Sequence, residues 1–282
     1  MLVNLEFRLL GARSVRSHFS ARRFRTLAVW AGAILVGLAV QSAQAAQIDY
    51  GDFTAATVDY LDVVEDSVTD PTPLFGQPAV VGDSLDFDPV GFGATATGAL
   101  GIDGTDGNIK FGIMAHANHG ISSVKLSEAG DVTLFGFGTD FTYASVTGTG
   151  LLQITHVDGN SLLSPINVPI MMTFTPSGGT YGLLSDGGGG PNYHAFWSGY
   201  DYLDLDQALI DNGITNFVRG ATKVSIDMDN TLTAASEANT FALIAKKEFG
   251  GLSVTVNIPE PAACLLAGIG LLAVVANRRR AR

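Results

Sequence analysis

Residues 191–202 gather Tyr193, His194, Phe196, Trp197, Tyr200 and Tyr202 into one short stretch. Aromatic rings with polar tips fill cores, and they also offer flat faces to ligands such as sugars. Two readings follow, a core segment or a carbohydrate-contacting loop. In the second, Tyr193, Trp197 and Tyr200 are the glycan contacts. Acids cluster as well: Asp201, Asp204 and Asp206 form one group, Asp227, Asp229 and Asn230 a second, and Asp103, Asp106 and Asn108 a third. Hard oxygen ligands near tight turns suit Ca²⁺. Asp201, Asp204, Asp206, Asp227 and Asp229 are therefore the candidate ligands of a structural Ca²⁺, with turn chemistry and solubility as the other reading. The loop from Asp201 lacks the central Gly and terminal Glu of an EF-hand. His116 and His119 stand three apart without a Cys or Glu neighbour, so zinc is not expected.

Catalytic signals are poor. No Gly-x-Ser-x-Gly elbow occurs. The glycine run 187–190 precedes Pro191 and not a Lys-bearing helix, so it is no phosphate loop. The single cysteine, Cys264, lies in an apolar run near the C-terminus. Paired carboxylates could serve a glycosidase, but the acids are so numerous that pairs arise by chance. No catalytic residue is assigned and no enzyme is expected.

The elements that must position these residues read as mainly β. Asp-Gly pairs and glycine clusters, as at 101–104, 106–108, 158–160, 177–179 and 186–190, supply the positive φ of tight turns. Short β-forming runs lie between them at 108–114, 131–137, 150–157, 168–174, 222–227 and 252–256. Residues 239–245 are expected to pair with 222–232, and 47–90 read as partly loop. Apolar spacing at Tyr202, Leu205, Ala208 and Leu209 predicts one helix over 202–210, stopped by Asn212 and Gly213. The expected body is an antiparallel β-sandwich or jelly-roll-like fold with one short helix.

The 282 residues divide by charge and hydropathy into 1–46, 47–257 and 258–282. The chain holds 27 acids and 16 bases; 25 acids and six bases fall within 47–257, a net −19. That surface repels phosphate backbones, so no nucleic-acid partner is expected. The first segment runs from an Arg-rich stretch through an apolar run at 27–40 to small residues at 42–46. This is the order of a signal peptide, cleaved near Ala46. Its readers would be the secretory translocon and signal peptidase.

The last segment begins Pro259, Glu260, Pro261, continues with 15 apolar residues to Ala276, and ends in Arg278, Arg279, Arg280 and Arg282. The prolines block an earlier helix start. The apolar run makes a helix of about 22 Å, short of a full bilayer core. The arginines stop transfer and stay on the cytoplasmic side. A C-terminal transmembrane helix with the acidic body outside is the expected topology. This segment resembles the PEP-CTERM family of sorting signals, in which triplet, apolar run and basic cluster follow in that order. The resemblance implies recognition by an exosortase, removal of the tail, and a source among Gram-negative bacteria that make exopolysaccharide. Residues 259–261 would be the sorting motif and the four arginines the stop-transfer cluster.

The leading expectation is a non-catalytic, exported cell-surface or extracellular-matrix protein associated with exopolysaccharide. It would be held transiently in the inner membrane by its C-terminal segment. A secreted polysaccharide-active hydrolase and a structural matrix filler without a specific ligand are the alternatives.

Overall fold

The computed structural model describes residues 47–89, 91–99, 101–188 and 190–247, and the backbone alone of 253–257. The expected signal peptide, sorting triplet, C-terminal helix and arginine cluster lie outside the described residues. Among the described residues no helix is long and apolar enough to cross a membrane.

The chain opens with β1 (Ile48–Thr54), β2 (Val58–Asp66), β3 (Ala79–Val81), β4 (Ser84–Asp86) and β5 (Gly93–Thr97). Long strands follow: β6 (Gly101–Ala115), β7 (Ser123–Phe135), β8 (Tyr143–Val157) and β9 (Asn160–Met171). After β10 (Thr173–Thr175) and β11 (Thr180–Gly182) come β12 (Asn192–Asp204) and α1 (Leu205–Asp211). The last are β13 (Ala221–Ser236), β14 (Phe241–Lys246) and β15 (Ser253–Asn257).

These strands form two antiparallel sheets. One has seven strands in the order β1-β2-β6-β13-β8-β11, with β9 also on β8. The other has eight and is organised around β7. One edge of β7 pairs with β12 along its whole length. The other edge is shared by β14, opposite 130–135, and β15, opposite 123–127. β5 extends the sheet beyond β14, and β4 then β3 extend it beyond β15.

Turn chemistry is local where it succeeds. Asp158 and Gly159 have φ of 52° and 86°, and Val157 pairs with Asn160 across them. Two positive φ values in a two-residue loop make the hairpin turn whose twist matches its strands. Other expectations need correction. The glycine-rich stretches 101–104 and 106–108 are strand, not turn, because β6 runs unbroken against β13. The helix starts at Leu205 and not at Tyr202, since Tyr202 still pairs with Lys125 and Asp204 caps the helix by accepting from Gln207 N at 2.9 Å. β14 does not pair with β13. It leaves for the other sheet, between β5 and β7.

Alternate residues of a strand face opposite sides, so each inward row should be apolar. Val224, Ile226, Met228, Leu232 and Ala234 obey on β13, and Val124, Leu126, Val132 and Leu134 obey on β7. The inward rows of both sheets join one buried cluster with Phe75, Phe87 and Phe92. Those three rings pack edge-to-face, with centroids 6.1 Å apart for Phe75–Phe87 and 5.0 Å for Phe75–Phe92. Polar residues interrupt these rows, among them Glu65 on β2, Thr105 on β6, Glu128 on β7, Asn230 on β13 and Lys246 on β14, all buried. Lys246 Nζ donates to Glu128 Oε2 and to Asn230 Oδ1, so this contact joins one sheet to the other.

Gly107 stands opposite Asn230 in register. A Cβ there would lie 2.6 Å from Phe92 Cε2 and 3.1 Å from Phe75 Cε2. Gly112, on the same strand, has its nearest neighbour 3.6 Å away. Overpacking a closed core costs about 1–3 kcal/mol. Gly107→Ala is therefore expected to lower unfolding free energy in urea by that amount, while Gly112→Ala shifts it by less than about 1 kcal/mol. Equal losses in both variants would show that the two rings do not fill the space at Gly107.

Candidate functional site

β12 carries the aromatic segment, and strand alternation splits it between two faces. His194, Phe196, Ser198, Tyr200 and Tyr202 point outward and are exposed. Phe196 is 75% exposed, Tyr200 52% and Tyr202 55%, so three large rings stand in solvent on one strand. Rings two residues apart on a strand are about 7 Å apart. Tyr193 is half-buried against the core, and Trp197 lies within it, edge-to-face with Phe174 at 6.0 Å. Trp197 faces Gly130 across the ladder, where any Cβ would collide with the indole. Of the three glycan contacts expected from the sequence, only Tyr200 is on the open face.

All but one of the neighbours of that face are polar. Thr133, Asp131, Ala129, Ser127 and Lys125 of β7 oppose His194, Phe196, Ser198, Tyr200 and Tyr202 in turn. From β10, Thr173 opposes Tyr200 and Thr175 opposes Ser198. Thr133 Oγ1 and His194 Nδ1 lie 3.0 Å apart, and the His194 ring meets Phe196 edge-on at 5.3 Å. A cleft of about 480 Å³ opens beside Phe196, lined also by Ala129, Gly130, Trp197, Ser198 and Lys247. Lys247 pairs with Asp131 at 3.1 Å on the same margin. The arrangement offers flat apolar faces ringed by hydroxyls, which suits an extended polar ligand with apolar patches.

The sequence clue for Phe196 and Tyr202 was their spacing at period two from Tyr200. That spacing becomes readable once the segment is known to be strand throughout and not loop followed by helix.

The acid clusters are engaged separately. Asp201 accepts from Met171 N and Tyr202 N, each at 2.8 Å. Asp204 is the helix cap. Burial pushes the Asp206 carboxyl up, and the Asp204 charge adds to it. Asp227 and Asp229 share Asn108 Nδ2 at 2.8 and 2.6 Å, and Lys110 lies 3.4 Å from Asp227. His116 Nε2 is 3.1 Å from Asp59, and that hydrogen bond holds the Asp59 carboxyl below its ordinary range. Among the described residues, no three His, Cys, Asp or Glu side chains are grouped to hold a metal ion.

No protein of curated function matches this chain. Among solved structures, a loop-swap mutant of Necallimastix patriciarum Xyn11A aligns with 75% of this chain and 95% of its own, at 8% identity. Its TM-score of 0.20 is too low to carry fold or activity across. The C-terminus gives a definite match. Residues 257–280 fit the family model of the PEP-CTERM protein-sorting motif, and the chain thus ends in the signal by which an exosortase recognises an exported protein.

Proposed function

We propose that this is an exported surface or matrix protein, sorted by its PEP-CTERM tail, whose outward β12 face lies against exopolysaccharide without catalysing its turnover. On this reading the two sheets are the layers of a jelly-roll-like sandwich. The observation that carries it is the exposed row of Phe196, Tyr200 and Tyr202 on one strand, bordered by Ser127, Thr173, Thr175 and Ser198. Scattered exposed apolar residues need no explanation, but rings aligned at every second or fourth position of one strand do. The net −19 of residues 47–257 keeps the body soluble and directs it toward neutral or cation-bearing matrix. After signal-peptide cleavage, the C-terminal segment would hold the chain in the inner membrane until the exosortase releases the body.

Two measurements test this reading. Phe196→Ala combined with Tyr200→Ala should weaken binding to exopolysaccharide from the source organism about tenfold or more, the loss of roughly 1.4 kcal/mol or greater. Val218→Ala, a control at a residue 93% exposed elsewhere, should leave binding unchanged. Unaltered affinity in the double variant would remove the aromatic face from the proposal, and release of shortened glycans by the wild type would replace it with the hydrolase. Separately, replacing Pro259, Glu260 and Pro261 by alanine should leave full-length protein in the inner membrane. Trimmed protein in the medium from that variant would refute the sorting route.

A further inference from the structure

Lys246, Glu128 and Asn230 do not make sense as a stabilising ion pair. Each occupies an inward position between apolar neighbours: Ile244 before Lys246, Leu126 before Glu128, Met228 and Leu232 around Asn230. Exposure is 3%, 2% and 0% in the same order. Lys246 Nζ contacts both Glu128 Oε2 and Asn230 Oδ1, while Glu128 Oε1 and Asn230 Nδ2 have no hydrogen-bond partner among the described residues. A half-satisfied buried network is worse than an apolar core of the same shape.

The surroundings are those of a reaction chamber. The Phe92 and Phe75 rings cover Nζ, with centroids 4.7 and 5.3 Å away. Phe75 is fixed in turn, because its N–H donates to the buried Glu65 carboxylate at 3.1 Å. Gly107, opposite Asn230, leaves the room these rings occupy. Burial pushes the Lys246 ammonium down and the Glu128 carboxyl up, each only partly opposed by its partner. Both directions favour the uncharged pair, a free amine beside a carboxylic acid. A desolvated lysine amine is a nucleophile, and here it is already held against an amide carbonyl.

We propose that Lys246 and Asn230 become joined by an intramolecular isopeptide bond, formed in the folded chain with Glu128 as its acid–base catalyst. The Nζ lone pair attacks Asn230 Cγ, and the Nζ–Cγ bond forms as the C=O electrons move onto Oδ1. Glu128 donates its proton toward that oxygen and takes one from Nζ. The tetrahedral centre collapses, the Cγ–Nδ2 bond breaks, and Nδ2 leaves as ammonia carrying the transferred proton. An amine and a primary amide give a secondary amide and ammonia. Glu128 ends as it began, and no oxidant, reductant or water is consumed. The step also removes the orphaned Nδ2 donor. Holding amine, carbonyl and acid together replaces the encounter that makes such an amide exchange slow in water. The bond would tie β13 of one sheet to β14 of the other, closing a loop whose ends are 16 residues apart.

The wild-type protein decides the matter by mass spectrometry. After denaturation and trypsin digestion of the full chain, Asn230 and Lys246 fall in one peptide, residues 224–247. The expected peptide is uncut after Lys246, lighter than its linear sequence by one ammonia, and silent in fragment ions from inside the loop. Cleavage after Lys246 in the folded wild type, with or without loss of ammonia elsewhere, overturns the proposal. Glu128→Gln should yield the linear peptide cut after Lys246, with its β-type circular dichroism retained. A cross-link persisting in E128Q would overturn the role given to Glu128. If that variant fails to fold, Asn230→Asp supplies the second measurement. Amide formation there expels water, so its linked peptide should have the same mass as the wild-type linked peptide. A cross-link in the wild type that N230D fails to form at mildly acidic pH would overturn attack at this side-chain carbon.

Discussion

The interior of this protein is organised by the need to accommodate one lysine. An ammonium taken out of water costs several kcal/mol even after relaxation, unless close partners offset it. Lys246 offsets only part of that cost, with Glu128 on a neighbouring strand and Asn230 on the facing sheet, and burial pushes its ammonium toward the free amine. Placing those three groups together fixes much else. β14 must leave β13 and enter the other sheet. β7 must divide one edge between β14 and β15. Gly107 must stay without a side chain, and Glu65 must hold the segment that presents Phe75. Two sheets joined only by apolar contact could slide without losing much. A polar contact with a fixed geometry removes that freedom, as single buried polar groups fix register elsewhere.

What could be read from the sequence was whatever local chemistry decides. The Asp158-Gly159 turn, the alternation of 222–227 and the strand expected at 252–256 depend on neighbours along the chain, and the fold keeps them, the last as Ser253–Asn257. The glycines of 101–108 misled because Gly is ambiguous by itself. It serves turns through positive φ, but Gly107 serves a strand by making room for two rings. The helix begins three residues later than its apolar spacing predicts, because Tyr202 stands at helical spacing from Leu205 and at strand spacing from Tyr200, and only pairing with β7 decides between the two. The aromatic face was half legible for the same reason: its residues were visible, and its division into buried Trp197 and exposed Phe196 was not. The lysine cluster was not legible at all. Glu128 and Lys246 lie 118 positions apart, and no periodicity in either strand marks a buried charge as the partner of another.

Export sharpens the meaning of that interior. Outside the cytoplasm, small and medium domains commonly use disulfides as covalent staples. This chain has a single cysteine, Cys264, and it falls within the matched sorting motif, 257–280. A body released from that tail has no thiol left. An amide between side chains would do the work of a staple without depending on redox conditions, and it would resist reduction altogether. Its benefit comes partly from the unfolded chain, since a closed loop has fewer conformations to lose on folding.

The proposed surface and the proposed bond are also mechanically connected, because β7 lies between β12, which carries the aromatic row, and β14, which carries Lys246. The outward β7 residues Ser127, Ala129 and Asp131 border the aromatic row, while Glu128 between them points inward to Lys246. A pull on a polymer held at Phe196 and Tyr200 passes through the β12–β7 ladder, thirteen residue pairs long, and then into β14. The β14–β7 ladder is half that length, with six pairs, and ends at Lys246. Hydrogen-bonded ladders fail first where they are short and end. The position where this path would open is therefore the position where the chain places a nucleophile, an amide and an acid. Joined there, strain passes into β13, the strand paired on both edges at the centre of the other sheet.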